Sequence, residues 1–420
     1  MLIMKRILSS ICVFAACVCA YAQSTAPDGF RGPKHDGQYL SETGLMKTWP
    51  ADGPAKLWEN LQVGDGYSSP VIDGDRVYIT GLSEDKRQEV LTALDKNGKV
   101  IYTAAYGSPW RNSYPESRTT PTIYNGKAYV ISGSGEVVCL NTADGKVVWK
   151  VDGNSTYRTT TGNWGTAESP LIVDNKVIYS PGGNQTSLVA LDAETGKEIW
   201  KSRTLGEKRA YATPILIEWK GKKQIVAFTM HSIFGADPAN GNIEWTFSDW
   251  GDRRDDNIPP NSPLFKDGRI FFSQGYDIGS FMLQLNDNLN GVTLVWKNSD
   301  MDTHHGGYVL VDGVIYGTNW VNNNSGNWLA LDWNTGKTLY NSAWSGGKGK
   351  GSIIFADGML YCYDERRGYI GMVKPDGKEF KTVSEFRMDK GTGPNWAHLV
   401  ISDGVLYARH GTALIAYKIK

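Results

Sequence analysis

One unit recurs down this chain: Ser or Thr, a Pro, an apolar pair, an Asp-Gly-type turn, then a β-branched or aromatic run. Its anchors are Pro70, Pro121, Pro170, Pro214 and Pro263, and Tyr308, Ile353 and Leu399 fall at the same register, so the steps average 47 residues. A second signature closes the units, a tight turn ending in Gly and followed by an aromatic: Gly145 to Trp149, Gly196 to Trp200, Gly241 to Trp245, Gly336 to Tyr340. Gly supplies the positive φ such a turn requires, and Asp or Asn before it bonds the turn backbone. The spacing is one residue longer at Gly291 to Trp296 and one shorter at Gly377 to Phe380, which reads as local bulges. A period near 47 without helical periodicity holds four strands and short loops, the anatomy of a propeller blade. The chain is expected to be an all-β, eight-bladed β-propeller of four-stranded antiparallel blades.

The ends support a closed ring. The last unit, from Trp396 to Lys420, has room for only three strands, while Lys56 to Leu61 resembles a closing strand that belongs to no preceding unit. The N-terminal strand is therefore expected to complete blade eight and pair its exposed edge. The expected division is a signal peptide over 1–22, an N-terminal extension over 23–54 and the propeller over 55–420. Lys5 and Arg6, the apolar run Ile7 to Ala20 and Ala20-Tyr21-Ala22 before Gln23 have the layout of a cleavable signal, which implies export to the periplasm or the exterior. The run is too short to span a bilayer, and no later stretch approaches the length a span needs. Phe14 before Ala15-Ala16-Cys17 fits a lipidation site poorly, which argues against a lipid anchor. Cys12, Cys17 and Cys19 leave with the signal; Cys139 and Cys362 fall in blades two and seven, too far apart to pair, so both are expected as free thiols. Lys plus Arg and Asp plus Glu each number 44, and the charges are spread along the chain, which excludes the basic footprint of a nucleic-acid or anionic-membrane partner.

Phe30-Arg31-Gly32-Pro33, the Trp49-Pro50 and Leu57-Trp58 pairs, the Tyr67-Ser68-Ser69-Pro70 blade start and the Leu-Asp-x-x-Thr-Gly-Lys-x-x-Trp blade ends resemble the exported bacterial pyrroloquinoline-quinone-like (PQQ-like) propeller family. The resemblance covers Phe30 to Lys420. It implies fold far more than function, because the same blade motif occurs in quinone-dependent alcohol dehydrogenases and in the lipoprotein that scaffolds outer-membrane protein assembly. The dehydrogenases carry an adjacent cysteine pair beside the quinone, a calcium-binding carboxylate and amide set and a route for electrons through c-type haem. None of these is recognisable here, which argues against PQQ as cofactor and leaves any cofactor unknown.

In a propeller the residues just before each inner strand ring the central funnel. Those positions hold small hydroxyls in early blades, but also Arg118, Glu168 and Tyr211, and in blades six to eight His304, His305, Lys350, Trp396 and His398. His231 and His410 fall in loops between second and third strands, on the same face. Departures from a repeat's own pattern mark candidate function. The proposed site is therefore His304, His305, Lys350, Trp396, His398, His231, Arg118, Glu168 and Tyr211, with Lys350 disfavouring protonation of the imidazoles and Glu168 and Arg118 facing them across the funnel. The competing reading makes each histidine a satisfied polar group of a surface loop. No close-spaced ligand motif accompanies the imidazoles, so no metal is assigned, and Asn286 to Gly291 reads as a turn rather than a calcium loop. The charged linker Asp249 to Asn257 is expected to rim the funnel, and Trp164, Trp250, Trp320 and Trp396 to offer stacking faces for sugar rings.

Three functions remain open on these residues. The first is a binding protein for a small polar molecule, with carbohydrate as one class, or for a protein partner. The second is an enzyme acting on a carbohydrate or alcohol through His305, His398 and Lys350, with quinone-dependent oxidation the weaker variant. The third is a cell-envelope scaffold.

Overall fold

In blades two, five, six, seven and eight the first hairpin forms on an Asp-Gly or Asn-Gly pair that takes positive φ at both residues, the turn that joins two strands with matching twist. Asn125-Gly126 (φ 47° and 71°), Asp267-Gly268 (51° and 77°) and Asp357-Gly358 (44° and 77°) do so in blades two, five and seven. The computed structural model describes residues 27–250 and 258–420; the expected signal peptide and most of the charged linker lie outside them. Blade one runs from the inner strand Val71–Asp73 through Arg76–Leu82 and Glu89–Asp95 to the outer strand Val100–Gly107. Eight such sheets form the ring. The two middle strands of blade one are buried almost throughout because both faces pack on neighbouring blades, whereas its outer strand exposes Val100 and Ile101.

Blade eight is completed as the repeat arithmetic requires. Lys56–Asn60 pairs antiparallel with Ala413–Lys418, placing Trp58 opposite Ala416 and Asn60 opposite Leu414. The bulges expected only in blades five and seven are general: a register shift falls between third and outer strands in all eight blades. It re-aims the outer-strand aromatic along the ring. Cys139 and Cys362 are buried free thiols in blades two and seven.

At most joints the aromatic of one blade lies on the closing-turn glycine of the next; the closing turns of blades five and seven, at Gly291 and Gly377, are exceptions. A Cβ at Gly196 would sit 2.7 Å from the Trp149 ring, one at Gly241 2.4 Å from Trp200, and one at Gly336 2.5 Å from Trp296. At the closure, Gly98 of blade one would meet Trp58 at 2.4 Å. Indole nitrogens complete the joint: Trp149 Nε1 donates to Ala193 O at 2.9 Å and Trp200 Nε1 to Pro238 O at 3.1 Å.

Within the segment expected as an N-terminal extension, the stretch from Asp28 to Tyr39 runs along the inner strands of the ring. Asp28 bridges antiparallel to Ile123 of blade two's inner strand. The chain then turns through Phe30 to His35, and Gln38–Tyr39 pairs parallel with Phe355 and Ala356 of blade seven's inner strand. This loop places Arg31 among the inner strands at 4% exposure. Its guanidinium donates to Tyr308 O at 2.6 Å, Ile353 O at 3.1 Å and Asp36 O at 3.2 Å, carbonyls that offset the cost of burying the charge. Leu45 and Trp49 then join the core between blades seven and eight, with Trp49 edge-on to Phe386 at 5.1 Å.

Two alanine substitutions in blade four separate turn strain from docking. Gly221 (φ 74°) has open space around its Cβ position, whereas Gly241 (φ 77°) lies under Trp200. Gly221→Ala should cost about 1 kcal/mol, and Gly241→Ala roughly 2–4 kcal/mol because overpacking adds to strain. Equal losses in chemical denaturation would remove the docking from the account.

Candidate functional site

The blade-to-blade connections and the loops between second and third strands meet over the central channel and enclose a cavity of about 540 Å³. Its floor is Phe30, presented by the channel loop and edge-on to His398 at 5.0 Å. Its wall is an arc of rings. Trp164 leads to Tyr114 (6.2 Å between centroids), Tyr114 to Trp396 (4.9 Å) and Trp396 to Tyr67 (4.8 Å). Beyond Trp396 the arc continues through His305 (5.1 Å), His304 (4.4 Å) and Tyr276 (4.9 Å). Asn323, Asn324, Glu365 and Arg366 form a polar edge.

Of the residues singled out in the sequence, His304, His305, Trp396, His398, Arg118 and Tyr211 line this cavity; Lys350, Glu168 and His231 do not. Lys350 is 2% exposed and lies behind the wall. Its ammonium is in contact with Glu365 and donates to Asn322 O at 3.1 Å and Asn323 O at 3.2 Å, so it ties the loops of blades six and seven together. Glu168 is buried in blade three, accepts from Ser180 N at 2.9 Å and is pushed up to about 8 by burial, with Arg209 opposing. It faces Arg209, not the histidines. His231 packs beside Glu207, whose carboxylate accepts from its backbone N at 3.2 Å, and His410 binds Lys390 O at 2.7 Å and Gly393 O at 2.6 Å beneath a surface loop. Trp250, expected as an exposed stacking face, is 4% exposed and packs on Phe272 at 5.4 Å.

Arg118 positions the aromatic wall. Its guanidinium donates to the carbonyls of Trp164, Tyr114 and Ser113, the last at 3.2 Å, while the Tyr211 hydroxyl accepts from Trp164 N at 3.3 Å. His398 has neither ring nitrogen to offer a ligand. Arginine has only donors, so Nδ1 accepts from Arg31 at 2.9 Å, and Nε2 then carries the proton and donates to His305 O at 3.0 Å. Burial, then the Arg31 charge, pulls His398 down to about 3. Burial also pulls His304 to about 3 and outweighs Lys350, which the sequence suggested as the main cause. His305 is held well below its ordinary value by burial, then by His304, Lys350 and His398. Burial raises Glu365 to about 7 against Lys350, and its Oε2 stands 3.5 Å from His305 Nε2.

Sequence reasoning missed Glu365, Arg366, Asn323, Asn324 and Tyr276. All five occupy loops between second and third strands, the class already searched for histidines, so applying that rule to every polar residue would have found them. Phe30 carries no such signal, because its place depends on the path of the N-terminal segment.

The family model described as outer membrane protein assembly factor BamB matches residues 86–341. The chain belongs to this family of PQQ-like propellers. A BamB of Alkalilimnicola ehrlichii is 26% identical over 215 residues, 49% of this chain and 48% of that protein. The dehydrogenase subunit of a quinone alcohol dehydrogenase of Gluconobacter oxydans is 31% identical over 146 residues, 30% of this chain and 18% of that protein. The chain thus spans under half the length of these curated relatives. Among solved structures, BamB from Moraxella catarrhalis superposes with a TM-score of 0.60 at 14% identity, covering 86% of this chain and 97% of that one. A europium-containing methanol dehydrogenase gives 0.63 at 11% identity, covering 90% of this chain and 88% of that one. At these identities the likeness shows the propeller fold alone.

The dehydrogenase branch of the family implies a quinone beside an adjacent cysteine pair, and among the described residues no such pair lines the cavity. Cys139 and Cys362 are buried inside blades and neither lines the cavity. Among the described residues no group of three or more His, Cys, Asp or Glu is arranged to hold a metal ion.

His398 makes the fold pH-sensitive. Its folded value lies below the unfolded one near 6.5, so the native state binds fewer protons between about 3 and 6.5 and stability falls as pH drops below 6.5. The loss by pH 5 should be about 2 kcal/mol. His398→Gln should lower stability at pH 7 and flatten that decline, measured by urea denaturation at pH 7 and 5; an unchanged slope would contradict the assignment.

Proposed function

We propose that this is an exported binding propeller whose funnel takes a small hydroxylated ring, with carbohydrate as the ligand class. The arc Trp164, Tyr114, Trp396 and Tyr67 facing an edge of amides and charged groups is the observation that carries this reading. Ring faces stack on apolar C–H surfaces while Asn323, Asn324 and Glu365 take hydroxyls, and a cavity of about 540 Å³ is of small-molecule size. Export rests on the signal-like N-terminus and agrees with the outer-membrane role in the family's description. Among the described residues no helix is long and apolar enough to cross a membrane.

The same description favours a second reading, a scaffold that presents the funnel loops to envelope proteins. Tyr114 and Trp164, 46% and 39% exposed at the rim, are the residues such a partner would meet first. A thermal-shift screen of neutral and acidic mono- and disaccharides separates the two, because a ligand that binds only the native state raises the melting temperature. The binding reading predicts at least one stabilising sugar whose affinity falls roughly tenfold in Trp396→Ala, equivalent to about 1.4 kcal/mol of stacking. No shift with any sugar, together with envelope proteins captured in pull-downs, would favour the scaffold.

A further inference from the structure

One charged group on the funnel wall stands without a partner among the described residues. Arg366 lines the cavity and is exposed, and among the described residues it makes no hydrogen bond or ion pair. Arg118, in the opposite wall, directs its guanidinium only at carbonyls, and Arg31 beneath Phe30 binds carbonyls and neutral His398. None of the three has a carboxylate within ion-pair distance among the described residues. The carboxylate on the cavity edge, Glu365, is already matched by Lys350. The imidazoles of His304, His305 and His398 add no charge at neutral pH, since burial holds them deprotonated.

An unpaired guanidinium on the wall of a concave, ring-lined site attracts an anion, and low-dielectric walls strengthen that attraction. Arg118 and Arg31 are held by carbonyls and are offset electrostatically by Glu89 and Glu116 and by Asp36, respectively. Arg366 has all its donors free, and a planar guanidinium matches a carboxylate in bidentate geometry.

We propose that the ring ligand of the funnel is an acid, with its carboxylate held by Arg366 while the ring stacks on Trp396 and Tyr114. This rests on the ring-binding reading above and narrows it to rings bearing a carboxylate. Two sources share that chemistry, a sugar acid and a planar aromatic acid.

Calorimetry with three kinds of probe tests the proposal: the pairs D-glucose and D-glucuronate, D-galactose and D-galacturonate, and 4-hydroxybenzoate. At least one uronate should bind tenfold or more tightly than its neutral partner at low salt. That advantage should shrink at 0.5 M NaCl and disappear in Arg366→Gln, whose melting temperature should stay at the wild-type value because the side chain is exposed and unpaired. Binding of 4-hydroxybenzoate with the same Arg366 dependence, but of no uronate, would support the acidic ligand and identify its source as aromatic. A neutral sugar binding as tightly as its uronate, or an advantage that survives Arg366→Gln, would overturn the inference while leaving the ring-binding reading intact. Failure of all five probes to bind would overturn both.

Discussion

The contact on which this architecture depends is an indole lying on a glycine. Each closing turn needs a residue that tolerates positive φ, and the neighbouring blade needs a surface flat enough to accept a large ring. At Gly98, Gly145, Gly196, Gly241 and Gly336 glycine meets both demands, so the residue that shapes one blade's turn receives the previous blade's aromatic; Gly291 and Gly377 face Asn286 and Leu339 instead. The register shift between third and outer strands aims that aromatic along the ring. Because the joint repeats, blades stack with nearly constant geometry, and closure requires only that the final blade find an aromatic strand. Lys56–Asn60 supplies it, with Trp58 on Gly98 making the same joint between blades eight and one.

Closure from the N-terminus has a further consequence. The chain that ends in the closing strand first passes through the ring, and its loop at Phe30 and Arg31 occupies the space where eight inner strands converge. Small residues admit it: a Cβ at Gly307 would lie 2.2 Å from the Arg31 guanidinium. Arg31 therefore bridges blades six, seven and eight through Tyr308, Ile353 and His398, and Phe30 becomes the floor of the funnel. What would otherwise be an open channel is a cup, which suits a site for one small molecule better than a pore.

The repeat, the blade number, the closing strand and the free thiols were legible in the sequence because each follows from periodicity and local turn chemistry. The aromatic wall was partly legible. Trp396, Tyr211 and the blade-start histidines sit at a register that can be counted from the anchors. The limits were physical. Lys350 occupies the expected register yet points behind the wall, because Glu365 and two carbonyls of a neighbouring blade give its ammonium a better environment than the cavity. Glu168 turns to Ser180 and the charge of Arg209 for the same reason. Phe30 and Arg31 belong to no repeat, so periodicity has nothing to say about them.

The N-terminal strand is a structural member of the ring rather than an appended tail. Hydrogen exchange of the backbone amides in Lys56–Asn60 tests this most directly. If the strand closes the ring, its ladder amides exchange only through global unfolding, with protection equal to that of Glu89–Asp95 in the core of blade one. Rapid exchange there while the other blades stay protected would mean that the ring holds without it.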